Sequence, residues 1–155
     1  MSAAVRTYVV VETLVSVFMN TLLSACATWL AFGGHAVVGL WGGQGLALDF
    51  IPQSFMVGLM SGLMPTLLTR RRRRQGRVLR IEGRPPALPG NLLLRALLFA
   101  VATVVIAGGA AVLLLWRFGP ETYGPGVLFA IKTSYGAVVA LIVTLIALRA
   151  VLREA

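Results

Sequence analysis

Glu12, Ser16, Asn20, Ser24 and Thr28 recur at every fourth position of an otherwise apolar stretch, and Asp49, Gln53, Arg95 and Lys132 stand within three further apolar stretches. A charge at the centre of a bilayer costs about 2.5–3.5 kcal/mol on insertion scales, so each such group is expected to have a partner or a watery path. Depth along the chain suggests two pairs, Glu12 with Arg95 and Lys132 with Asp49 or Gln53. Structural roles are also open to them. Arg95 and Lys132 are long enough to snorkel to an interface, and Asp49 followed by Pro52 has the look of a helix opening. The functional expectation is a transport path through Glu12, Asn20, Gln53, Asp49, Arg95 and Lys132, with Glu12 as an ion or proton carrier.

The four-residue period has a packing reading as well. Small or polar residues recur at the same spacing at Ser54, Gly58, Gly62 and Thr66, at Thr103, Ala107 and Ala111, and at Lys132, Gly136, Ala140 and Thr144. Small-xxx-small ridges let helix backbones approach closely in lipid, and hydroxyls bond across them for about 1 kcal/mol. Ser54, Gly58, Gly62, Ala107 and Ala111 are therefore candidate packing positions, within the chain or between copies of it.

Met56, Met60 and Met64 form one stripe, ahead of Pro65. Over this one helix the stripe resembles the thioether ladder of high-affinity copper uptake transporters, which implies soft-sulfur ligation of Cu(I). Members of that family have three spans and methionine-rich outer segments, whereas this chain has four probable spans and no methionine in its outer loops. Packing methionine is the expectation, with no metal and no cofactor. Cys26 is the one cysteine and His35 the one histidine, which excludes an internal disulfide and a zinc site built on cysteines. No Ser/His/Asp set, aspartate pair or Glu-x-x-His cluster is present, so no enzyme is expected.

The elements carrying these residues follow from hydropathy. Of 155 residues, 58% are hydrophobic and 12% charged, and the mean hydropathy is +0.88, far more apolar than a soluble domain. A bilayer core of ~30 Å needs ~20 apolar residues, and residues 8–32, 46–68, 92–116 and 127–148 qualify. The expected fold class is an all-α integral membrane protein, a four-helix transmembrane bundle forming one domain over 1–155. Gln53-Ser54-Phe55 and Thr133-Ser134-Tyr135, eighty positions apart, hint at two repeated helical hairpins. Pro65, with Gly58 and Gly62, makes the inner half of the second helix the easiest element to bend.

Eight of the fourteen basic residues lie between Arg70 and Arg84, in the connection 69–91. The positive-inside bias puts that loop and both termini in the cytoplasm. Trp29, Trp41 and Trp116 then fall near the outer interface. Leu23-Ser24-Ala25-Cys26 has the form of a lipoprotein processing site, but Glu12 and Asn20 interrupt its apolar region, so Cys26 reads as part of the first helix. Arg70, Arg71, Arg72, Arg73, Arg74 and Arg77 lack the interleaved aromatics and binding module of a nucleic-acid site. Anionic lipid head groups are their expected partners, at about 1 kcal/mol per basic residue.

In size and composition the chain is similar to small inner-membrane proteins of high-GC bacteria. The expected function is a homo-oligomeric transporter or channel for a small solute or ion. The alternative is a non-catalytic accessory or assembly subunit of a larger membrane complex.

Overall fold

The computed structural model describes residues 3–43, 45–78, 80–83 and 87–154. Arg84, Pro85 and Pro86 of the basic loop and Gln44 of a glycine-rich turn lie outside the described residues. Helix α1 is Ala3–Phe32 and α2 is Leu46–Arg74. The third rod is α3, Leu92–Ala102, then a π-helical stretch, Thr103–Gly108, then α4, Gly109–Phe118. Helix α5 is Pro125–Leu152. Four helices are thus long and apolar enough to cross a membrane: α1, α2, the rod Leu92–Phe118, and α5.

Most helix ends overrun the apolar segments, for identifiable reasons. Arginine is a good helix former, so α2 continues through the arginine run to Arg74 and ends where Gly76 takes a φ of 70°. Asn91 starts α3, its Oδ1 accepting from the backbone N–H of Leu93 and Leu94 at 2.9 and 3.2 Å, a cap of the orphan donors there. Pro125 opens α5 at its first turn, where a missing N–H costs nothing. Pro52 does not open α2, so the alternative reading of Asp49 and Pro52 as a helix opening falls, while the expected start at residue 46 agrees with the helix. The helix begins six residues earlier, at Leu46, and runs unbroken through both Pro52 and Pro65.

Helices α2 and α5 hold the middle of the molecule. α1 packs along α5, the third rod packs along α2, and α1 meets α2 only slightly. Of the most apolar window of each helix, 50% and 56% are buried in α2 and α5, against 28% in α1 and 17% in the third rod. The bundle is therefore open along the α1/α2 edge. Exchanging the two hairpins, α1 with the third rod and α2 with α5, leaves this pattern of strong contacts unchanged.

The connections at one end are tied together by a two-stranded antiparallel sheet, β1 (Val38–Gly39) against β2 (Thr122–Tyr123). Beneath it Phe32, Leu46, Phe50, Tyr123 and Leu128 form an apolar cluster. This is the loop end; the opposite, arginine end carries the start of α1, the end of α2, the start of α3 and the end of α5. Gly58 and Gly62 bring α2 against the third rod so closely that a Cβ on either would meet Thr103 or Phe99 at under 3.0 Å. Gly108, in the π stretch, is seated in the same way on Ser54.

Candidate functional site: the groove between α1 and α2

Because α1 leans on α5 and scarcely touches α2, a groove runs between α1 and α2. It comprises three adjoining depressions. The first, about 280 Å³, opens at the loop end and is lined by Phe32, Gly43, Gly45 and Asp49. The second, about 260 Å³, is lined by Asp49, Gln53, Lys132, Ser24 and Asn20. The third, about 230 Å³, is lined by Asn20, Ser16, Glu12, Met60, Met64 and Pro65. Asp49 is common to the first two, and Asn20 to the second and third.

Each end of the groove is set by an ion pair. Toward the loop end Lys132 of α5, 2% exposed, pairs with Asp49 of α2, and its ammonium lies 5.3 Å from the centre of the Phe32 ring. Gln53, one turn along α2, donates through Nε2 to the Lys132 carbonyl at 2.9 Å and to Ser24 Oγ at 3.2 Å. Both amide hydrogens are then used, and Gln53 Oε1 is buried without a donor. Three helices thus meet at one amide group. Gly136 permits the meeting, since a Cβ there would lie 2.2 Å from Ser24 Oγ.

At the arginine end Glu12, 7% exposed, pairs with Arg72. The Arg72 guanidinium also lies 5.3 Å from the Tyr8 ring, and the Tyr8 hydroxyl is 2.8 Å from Thr69 Oγ1. Glu12 and Arg95 do not pair. α1 faces α5 and α2, whereas Arg95 sits on α3, so the reach that depth alone suggested does not exist. Arg95, 1% exposed, instead pairs with Glu154 and donates from Nε to the Pro89 carbonyl at 3.1 Å. It belongs to a clasp that closes the arginine end and lies outside the groove.

That clasp also takes up part of the arginine run. Arg70 binds Glu154 through two nitrogens at 2.8 and 3.0 Å and donates to the Gly90 carbonyl at 2.9 Å. Arg73 donates to the carbonyls of Val151 and Glu154 at 2.9 and 3.1 Å, satisfying the orphan acceptors where α5 ends. Burial raises the Glu154 carboxyl, but hydrogen bonds from Arg70 and Arg95 outweigh it and hold the group below its ordinary value. Arg71, Arg74 and Arg77 are exposed.

Between the ion pairs the polar stripe of α1 divides. Ser16 Oγ is 2.7 Å from Thr144 Oγ1 on α5. The Thr28 hydroxyl turns back onto its own helix, to the Ser24 carbonyl at 2.6 Å. Asn20, 5% exposed, donates to the Ser16 carbonyl at 2.8 Å. Ser16 and Ser24 are therefore both seam and groove wall, while Thr28 is seam alone. Met56 lines the middle depression, and Met60 and Met64 the inner one. Among the described residues no three His, Cys, Asp or Glu side chains come together as a metal site.

Ser54, Gly58 and Gly62 pack against the third rod of the same chain, and Ala107 and Ala111 are partly buried against the core. These ridges are thus used within the chain and are not open to a second copy. Sequence reasoning missed Arg72 and Glu154 as partners; the signal for each was a charge next to a span end that no counter-charge in the same helix could meet. No protein-family model, curated protein or solved structure matches the chain.

Proposed function

We propose that the protein is a multi-pass protein of the bacterial inner membrane, with both termini cytoplasmic, and that it is a homo-oligomeric transporter or channel for a small solute or ion. Its pathway is the α1/α2 groove. The observation that carries this is the gathering of Asp49, Lys132, Gln53, Asn20 and Glu12 along one continuous groove between two helices that hardly pack. A pure packing seam has no space beside its polar groups; here Lys132, Asn20 and Glu12, though 2%, 5% and 7% exposed, line depressions of about 260 and 230 Å³, at a cost in lipid that a solute path explains. Arg71, Arg74 and Arg77, free of the clasp, face anionic head groups.

Cysteine accessibility tests the pathway. With Cys26 replaced by serine, Ser16→Cys, Asn20→Cys, Ser24→Cys and Thr28→Cys are each labelled with a membrane-impermeant thiol reagent from either side. Labelling of Asn20→Cys with protection of Thr28→Cys is the expected result. Protection at positions 16, 20 and 24 alike ends the transport reading and favours an accessory subunit. That second reading draws on an apolar groove of about 700 Å³ between α2 and the third rod, lined by Trp41, Ile51, Val105 and Leu113, wide enough for a partner's side chains.

A further inference from the structure

Resting on the transport reading, we infer that the groove exchanges a monovalent cation for a proton, with Asp49 as the anchor of the cation and Lys132 as a tethered stand-in for it that surrenders the proton.

The middle depression has spare capacity for a cation and little for an anion. Gln53 Nε2 spends both hydrogens on Ser24 and the Lys132 carbonyl, and the amide oxygen is buried without a donor. Asp49, Gln53 and Ser24, each bearing a side-chain oxygen, line one depression. Among the described residues the positive charge lining that space is Lys132, paired with Asp49. Order of encounter points the same way. Asp49 lines both the loop-end depression and the middle one, whereas Lys132 lines only the middle one. An entering ion meets the carboxylate first.

Displacement fixes what happens next. Once a cation sits on Asp49, the Lys132 ammonium is 2% exposed with no anion beside it, and a buried unpaired charge is shed as a proton rather than kept. The balance is Asp49 carboxylate with Lys132 ammonium plus M⁺, giving Asp49 carboxylate with M⁺ plus neutral Lys132 and H⁺. The site's net charge is unchanged. Among the described residues Asp49, on α2, is the titratable group facing Lys132. α1 presents the Phe32 ring and, through Gln53, the Ser24 hydroxyl; on α5 itself the Tyr135 hydroxyl is turned to Ser54 at 2.6 Å. One carboxylate among neutral oxygens suits a monovalent ion, since divalent cations take several carboxylates or a full oxygen shell. Glu12 cannot add a second, being held by Arg72 in the next depression.

The test uses the full chain in proteoliposomes loaded with a pH-sensitive dye, with Na⁺ or Rb⁺ applied outside. Entry of the cation in exchange for a proton is expected to raise internal pH, choline giving no response and a fall in pH overturning exchange. Asp49→Asn should lose at least tenfold in both cation flux and pH change. Lys132→Gln should still pass Rb⁺ while losing the pH change, a split that a structural role for Lys132 does not produce. Should both variants misfold, purified wild-type protein in weakly buffered detergent decides: about one proton released per chain on adding Na⁺ or Rb⁺ supports exchange, and no release from either overturns it. Flux of an anion or neutral solute without cation flux, or labelling of Asn20→Cys without any cation response, overturns cation exchange and leaves the transport reading standing. Protection of Asn20→Cys removes both.

Discussion

Glu154 lies beyond the last turn of α5 and yet holds two arginines, one of them Arg95 at 1% exposure. Removing its charge leaves Arg95 buried with only the Pro89 carbonyl, so Glu154→Gln should lower stability by about 1–3 kcal/mol, the usual cost of stranding a charged hydrogen-bonding group. The pH dependence has a definite sign. The carboxyl is held below its ordinary value, so its contribution is complete above the unfolded glutamate range, near ~4.3, and fades as pH falls through the lower folded value. Thermal midpoints of wild type and Glu154→Gln should stay a constant distance apart from neutral pH down to about 5, then converge in more acid solution. A gap that closes at neutral pH instead assigns the stability to something other than this clasp. Residues of this kind are the least legible in sequence. A meeting of Lys132 with Asp49 or Gln53 could be anticipated because all three lie at similar depth in apolar segments, and the ion pair falls to Asp49. Glu12 had Arg95 and the whole arginine run at similar depth, and only the choice of neighbouring helix decides among them.

At the scale of elements, hydropathy located the four helices to within six residues at every end, because a run of ~20 apolar residues marks a helix long enough to span a bilayer. It could not place the π stretch at Thr103–Gly108, which carries no proline and packs against α2. That meeting is a tight seam. A Cβ at Gly58 would lie 2.5 Å from Thr103 Oγ1 and 2.8 Å from the Phe99 carbonyl, the second being backbone that cannot step aside. Gly58→Ala should therefore cost about 1–3 kcal/mol, as overpacking does. Gly109→Ala is the matched control: its Cβ meets nothing within 4 Å, and the better helix propensity of alanine is worth up to about 1 kcal/mol. Thermal unfolding in one detergent should separate the two in opposite directions, and equal midpoints would mean that the α2 seam is looser than these distances state.

For the whole molecule, the open α1/α2 edge sets the expected assembly. The Gly58, Gly62 and Ala107 ridges are packed inside the chain; what helix packing leaves open is the groove itself, lined by Asn20, Ser24 and Gln53. In a bilayer, as proposed, a groove lined by polar side chains is better covered than left to hydrocarbon. In the proposed oligomer a second copy laid over the groove closes the path. Leu23 is 52% exposed and lines both the middle and inner depressions, so a bulky residue there blocks a partner without touching the core. Light scattering of the protein in nanodiscs should give a dimer or larger oligomer for wild type. Leu23→Trp should shift the mass toward one chain and reduce flux with it, while helix content stays within the wild-type range. If wild-type protein is a single chain per disc and still carries its solute, the groove works uncovered and the oligomeric part of the proposal falls; if Leu23→Trp stays assembled at full flux, the contact lies on another face, and the exposed side of the third rod is the surface left to hold it.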